Sequence, residues 1–289
     1  AFVGMMLAPE TIMPINYFYV LLAVTLGAGS SAAINMWFDE DIDRSMERTK
    51  TRPIPLGIIS KNEALFFGIL TGILSLFLMY YASNTLATGL LLFTILFYIV
   101  IYTFWLKRST SLNIVIGGAA GAIPPIIGWA AVIPEISFLP IVMFLIIFFW
   151  TPPHFWALSV YRFNDYEKVK VPMLPNVKSI AETKNQILYF QKKALWGYDS
   201  ALLFFEKQVG VYPNQNGNVT HVCGEVEEDV LGQDPVPAWT VIMLCVCRRV
   251  FRCIFFSSAR RVLSRRPENF LAFIYEANPA LKKSPGAEQ

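Results

Sequence analysis

The chain has 289 residues, of which 55% are hydrophobic and only 16% charged, and its mean hydropathy is +0.47. Soluble domains carry about 25% charged residues, so this balance excludes an ordinary soluble enzyme and points to repeated passage through a bilayer. The formal net charge of +3 selects no partner by itself, and no nucleic-acid partner is expected from it.

The opening Ala1-Phe2-Val3-Gly4 carries no secretory signal and reads as the end of an earlier span. Apolar runs then follow at roughly 15–36, 62–82, 86–105, 112–133 and 138–160, each near the ~20 residues that cross a bilayer, with a weaker one near 179–198. Gly117-Gly118-Ala119-Ala120-Gly121 and Pro124-Pro125 fall inside these runs, as membrane helices that pack closely allow. The expected fold is all-α, a multi-span transmembrane helical bundle over residues 1–190, incomplete at both ends. The loops after the first, third and fifth runs are basic, with Arg44, Arg48, Lys50, Arg52 and Lys61, then Lys107 and Arg108, then Arg162, Lys168, Lys170 and Lys178. The loops between them carry only Glu135. Two spans separate each basic loop from the next, so all three share one face. The positive-inside rule makes that face cytoplasmic, or matrix in a mitochondrion.

The first run ends in Asn35-Met36-Trp37-Phe38-Asp39-Glu40-Asp41-Ile42-Asp43. Positions four apart share one side of a helix, so Asn35, Asp39 and Asp43 form an oxygen-rich stripe. Mg²⁺ prefers such oxygens and commonly bridges carboxylates to a substrate phosphate. Arg44, Arg48, Lys50 and Arg52 follow directly, in position to hold phosphate oxygens. Many of these cations also serve simply to orient the chain and meet lipid headgroups, the main role expected of Lys61, Lys170 and Lys184.

A second constellation runs from Thr151-Pro152-Pro153-His154 through Tyr161-Arg162 to Asp165-Tyr166. Asp165 falls on the same membrane face as Asp39 and Asp43, where a carboxylate could bind or share Mg²⁺. His154 lies eleven residues earlier, about 16 Å deeper along a helix. An ionisable group inside a span is a functional candidate, although a neutral imidazole bonded to a carbonyl freed by the prolines is an equal reading. Tyr98, Tyr102, Tyr161 and Trp105 are expected mostly as interfacial anchors.

The block Asn35-x-x-x-Asp39-x-x-x-Asp43-x-x-Met46-x-Arg48-Thr49-x-x-Arg52-Pro53 resembles the first signature of the UbiA superfamily of intramembrane prenyltransferases. Within it the chain is most similar to the heme O synthase branch. Three further blocks carry that likeness: Tyr102-Thr103-x-x-Leu106-Lys107-Arg108 with Asn113-Ile114-Val115-Ile116-Gly117-Gly118; Gly121-Ala122-x-Pro124-Pro125-x-Ile127-Gly128-Trp129; and Trp150–Ala157 running into Tyr161-Arg162-x-x-Asp165-Tyr166 and Val171–Pro175. The resemblance covers roughly residues 1–190. It implies a helical bundle with a lipid-facing cavity, Mg²⁺ held by Asn35, Asp39, Asp43 and Asp165, and Asp39, Asp43 and Asp165 as the catalytic carboxylates. Arg48, Arg52, Lys107, Arg108 and Arg162 would contact the diphosphate of farnesyl diphosphate. The acceptor would be heme B, with His154 at a position suited to heme contact and heme O as product. The implied setting is the lipid bilayer of a bacterial or mitochondrial inner membrane, with heme A synthase or oxidase assembly proteins as partners.

Beyond residue 190 the likeness stops. Tyr212–Asn218 and Glu225–Asp229 are polar and acidic, and Arg248, Arg249 and Arg252 cut an apolar stretch short of spanning length. Cys223, Cys245, Cys247 and Cys253 lack zinc-site spacing. Residues 191–289 therefore read as an atypical tail, disordered or surface-bound, or foreign to the family. Two alternatives stand beside the heme reading. One is a related prenyltransferase acting on an aromatic quinone precursor. The other is a chain without activity, either a truncated copy or a cation-binding membrane protein.

Overall fold

In the computed structural model residues 1–190, 192 and 193 are described, all within the compact unit Ala1–Gly217. The expectation of an atypical tail, and the far half of the weak run near 179–198, lie outside them. Residues 180–190 are helical.

The described residues form an all-helical bundle without strands. A short α1 (Phe2–Leu7) precedes α2 (Pro14–Phe38), α3 (Glu40–Ser45), α4 (Lys61–Ala82) and α5 (Thr85–Leu96). A π-helical stretch, Phe97–Leu106, continues α5 and passes directly into the one-turn α6 (Lys107–Ser109). There follow α7 (Asn113–Ala122), α8 (Pro124–Val132), α9 (Phe138–Tyr161), α10 (Phe163–Lys168) and α11 (Leu174–Val177). Among the described residues five segments are long and apolar enough to cross a membrane: Pro14–Phe38, Lys61–Ala82, Thr85–Ser109, Asn113–Val132 and Phe138–Tyr161. They match the expected runs to within a turn.

Local chemistry sets the helix ends. Proline opens α2, where its missing N–H costs nothing. Ser60 and Glu63 form a reciprocal capping box on α4: the Glu63 amide donates to Ser60 Oγ at 3.3 Å, and the Ser60 amide donates to Glu63 Oε2 at 2.8 Å. Asn84 caps α5 through the Ala87 amide and donates to the Ala130 carbonyl at 2.6 Å, tying the turn between the second and third spans to the end of the fourth.

Hydroxyls replace apolar bulk where spans meet. Ser30 Oγ on α2 donates to the Gly68 carbonyl at 2.6 Å, and Ser75 Oγ on α4 donates to the Ala23 carbonyl at 2.7 Å. Small residues let these backbones approach, and each hydroxyl finds an acceptor inside hydrocarbon. The core runs through Val20, Met79, Leu91, Ile95, Ile127 and Val132. Outward faces carry Phe66, Phe77, Tyr81 and Phe93, all exposed as bilayer contact requires.

Candidate functional site

The end of α2 does not unwind. Asp39 leaves ideal helix geometry (φ −94°, ψ 19°), yet its amide still donates to the Asn35 carbonyl at 2.9 Å, and the Asp43 amide to the Asp39 carbonyl at 2.8 Å. The four-residue ladder therefore carries across the α2–α3 break, and Asn35, Asp39 and Asp43 stay on one side. All three are buried: 8%, 0% and 3% exposed.

Burying carboxylates this deeply requires partners. Asp39 accepts from Asn35 Nδ2 at 2.8 Å, from Lys107 Nζ, and from Arg108 Nη2 at 3.2 Å. Asp43 accepts from Arg52 Nη1 at 2.7 Å. Its own carbonyl takes the Thr49 hydroxyl, which pins the turn leading to Arg52. Arg108 also grips Asp41 through both guanidinium nitrogens, at 2.7 and 2.8 Å, and lies 5.0 Å from the Phe38 ring. This grip holds the Asp41 carboxyl below the usual range, and Lys61 with Arg44 does the same for Glu40. Cations from the third span thus meet carboxylates from the end of the first, so those two basic segments share a mouth.

A cavity of about 330 Å³ opens behind this network. Asn35, Asp43, Arg48, Arg52 and Lys107 line one side of it. Tyr98, Tyr102 and Phe155 supply aromatic wall, and Gly117, Gly118 and Gly121 of α7 form a floor without side chains. The floor must be bare at Gly117, because a Cβ there would lie 2.2 Å from Tyr102 Cδ2. Tyr166 and Met173, beyond the last span, close the remaining side.

The π-helix explains how the third span reaches in. Its wider turn lets the Thr103 hydroxyl donate to the Tyr98 carbonyl five residues back, at 2.9 Å, and π-turns gather at functional sites. Asn113, 1% exposed, lines the cavity and donates to the Lys107 carbonyl at 3.2 Å, while its Oδ1 meets no donor among the described residues.

Asp39 sits behind the cavity wall rather than on it. Asp165, on α10, is 9% exposed, with Arg162 Nη1 3.9 Å away. Neither Asp165 nor Arg162 lines the cavity, although the neighbouring Tyr166 does. His154 is exposed and stacked on Trp150, with ring centroids 5.0 Å apart and planes within 9°. Tyr161 and Trp105 are exposed, as anchors should be, whereas Tyr98 and Tyr102 belong to the cavity. Sequence reasoning had no handle on Asn113, Thr151 or Tyr166 as cavity residues beyond their place in the quoted blocks.

The donor set suits a hard divalent cation, since Asn35, Asp39 and Asp43 offer only oxygen ligands. Among the described residues no three His, Cys, Asp or Glu side chains converge at metal-binding spacing. In the conformation seen, lysine and arginine occupy the carboxylates, so a cation binding here would have to displace them.

The UbiA prenyltransferase family profile matches residues 1–206. The chain is 54% identical over 190 residues to the protoheme IX farnesyltransferase of Beijerinckia indica, covering 66% of this chain and 59% of that one. It is 55% identical over 206 residues to that of Sinorhizobium fredii, covering 71% and 65%. It therefore spans about three fifths of the length of the curated relatives it matches. In fold it resembles a UbiA homolog from Aeropyrum pernix (TM-score 0.63, 18% identity, 89% and 90% of the two chains). It also resembles one from Archaeoglobus fulgidus bound to GPP and Mg²⁺ (TM-score 0.64, 15% identity, 89% and 92%).

Proposed function

Because this chain belongs to the UbiA prenyltransferase family, we propose that it transfers a farnesyl group from farnesyl diphosphate to a vinyl group of heme B, giving heme O. One observation carries the reading. Buried carboxylates and a ring of cations meet at one mouth of a membrane bundle, directly above an aromatic cavity.

A prenyl diphosphate has those two halves, a polyanionic head and an apolar tail. Asn35, Asp39, Asp43 and Asp165 would hold Mg²⁺, which neutralises the diphosphate and improves it as a leaving group. Arg48, Arg52, Lys107, Arg108 and Arg162 would take the remaining phosphate oxygens, all but Arg48 moving from a carboxylate to the substrate. The C1–oxygen bond would break with its electron pair on diphosphate, C1 would bond the terminal vinyl carbon, and water would add to the resulting cation and lose a proton to solvent to give the hydroxyethyl group. Tyr98, Tyr102 and Phe155 would face the developing allylic cation, exclude water and offer ring faces to the charge. The Archaeoglobus relative bound to GPP and Mg²⁺ supports this choice of ion and substrate class. His154, exposed and stacked on Trp150, would contact the heme from outside the cavity.

The basic mouth faces the bacterial cytoplasm or the mitochondrial matrix in this reading, within the inner membrane. Heme A synthase or oxidase assembly proteins would receive the product. The test is to express the chain in membranes lacking heme O synthase and resolve the extracted hemes chromatographically. Heme O above an empty-vector control is the expected result. A prenylated quinone precursor instead, from membranes supplied with both acceptors, would overturn the heme assignment and leave the family chemistry intact.

A further inference from the structure

Thr103 is 0% exposed, sits in the π-helical part of the third span, and does not line the cavity. Its hydroxyl has one proton, which it donates to the Tyr98 carbonyl at 2.9 Å. Toward any other neighbour it can only accept. That neighbour is Asn35, whose Nδ2 lies 3.2 Å away.

A carboxamide can be turned either way about its terminal bond, and its neighbours decide which end faces where. Two acceptors lie beside this amide: Thr103 Oγ1 at 3.2 Å and Asp39 Oδ2 at 2.8 Å. Asp39 already accepts from Lys107 and Arg108. Turning the amide over would set Oδ1 against both of them and leave two buried acceptors facing a third with no hydrogen between them. Both Nδ2 hydrogens are therefore engaged, and no described residue donates to Oδ1. Asn35 itself lines the cavity.

We propose that Thr103 is a positioning residue: it fixes the amide of Asn35 so that Oδ1, not the NH₂, is offered to a divalent cation in the cavity. The π-helix is the device that makes this possible. In a regular α-helix a threonine hydroxyl bonds the carbonyl three or four residues back, as Thr94 does with Leu90 in the α-helical part of this same span. At Thr103 the carbonyl reached is five residues back, which sets the hydroxyl toward α2. The inference rests on the reading of Asn35 as a metal ligand given above.

The experiment measures Mn²⁺ binding by electron paramagnetic resonance, on the purified chain with a non-reacting prenyl diphosphate and no acceptor, so turnover plays no part. Thr103→Val keeps the shape and removes the hydroxyl. It should weaken Mn²⁺ binding by roughly 10–100-fold, as loss of an outer-sphere partner does. Thr103→Ser should restore near wild-type affinity. Thr103→Cys, a weak acceptor, should fall between them and decides the matter should the valine variant not fold. Asn35→Asp has no amide to orient, so adding Thr103→Val to it should weaken Mn²⁺ no further. Wild-type affinity in both the valine and cysteine variants overturns the proposal, as does an equal loss in the Asn35→Asp background. A wild-type chain that holds no Mn²⁺ overturns the metal reading as well, and so separates the two failures.

Discussion

Asp39 and Asp165 are both buried carboxylates, yet they are held very differently. Asp39 accepts from an amide, an ammonium and a guanidinium supplied by two spans. Asp165 has one guanidinium 3.9 Å away, and the Nε of that arginine meets no acceptor among the described residues. The α2–third-span side is a closed network in which lysine and arginine already satisfy the carboxylates. The α9–α10 side has spare hydrogen-bonding capacity, as expected of a region completed by what binds to it.

Removing each carboxylate in turn is the hardest test of that contrast. Asp39→Asn should reduce prenyl transfer by roughly 10²–10³-fold or more. It should also destabilise the bundle by about 3 kcal/mol, the low end for breaking a buried pair, because Lys107 keeps some exposure. Asp165→Asn should lose comparable turnover but less than about 1 kcal/mol of stability, as loosely paired groups do. Heme analysis beside detergent-resistance melting separates the two effects. Equal destabilisation by both variants would erase the contrast.

The cavity floor offers a sharper, smaller perturbation. Gly117→Ala puts a Cβ 2.2 Å from Tyr102 and should cost about 1–3 kcal/mol while displacing that ring. Gly121→Ala meets nothing within 4 Å and should leave the melting temperature unchanged. Farnesyl diphosphate affinity should fall for the first variant.

His154→Ala should leave Mg²⁺-dependent farnesyl diphosphate binding within about twofold of wild type, since the ring lies outside the cavity and stacks on Trp150. Weaker binding of heme alone would support the heme contact. An equal loss of diphosphate binding would contradict the placement.

The smallest effect concerns pH. Arg108 lowers the folded pKa of Asp41 below its ordinary 3.8. The stabilisation is therefore fully present above that value and disappears as pH falls through the depressed one. Asp41→Asn should cost under about 1 kcal/mol at pH 6–8, because the side chain is 64% exposed. The difference from wild type should shrink below pH 4 in acid melts.

The same contrast explains what could be read from the chain alone. The spans were legible because apolar length is local. The Asn35–Asp39–Asp43 stripe was legible because four-residue spacing survives the bend at Asp39. Nothing in Phe97–Leu106 announces a π-helix, so the aim of Thr103 and the entry of Tyr98 and Tyr102 into the cavity could not be read. His154 sits in a conspicuous motif, but which way a residue faces depends on how α9 is rotated against α7, and no single segment encodes that.

The carboxylate stripe would capture a diphosphate through a divalent cation. Equilibrium binding of radiolabelled farnesyl diphosphate to the purified wild-type chain, with Mg²⁺ and with chelator, tests it most directly. Tight binding that requires Mg²⁺ and is lost in Asp39→Asn is the expected result. Binding of equal strength in chelator, or in Asp39→Asn, would contradict it.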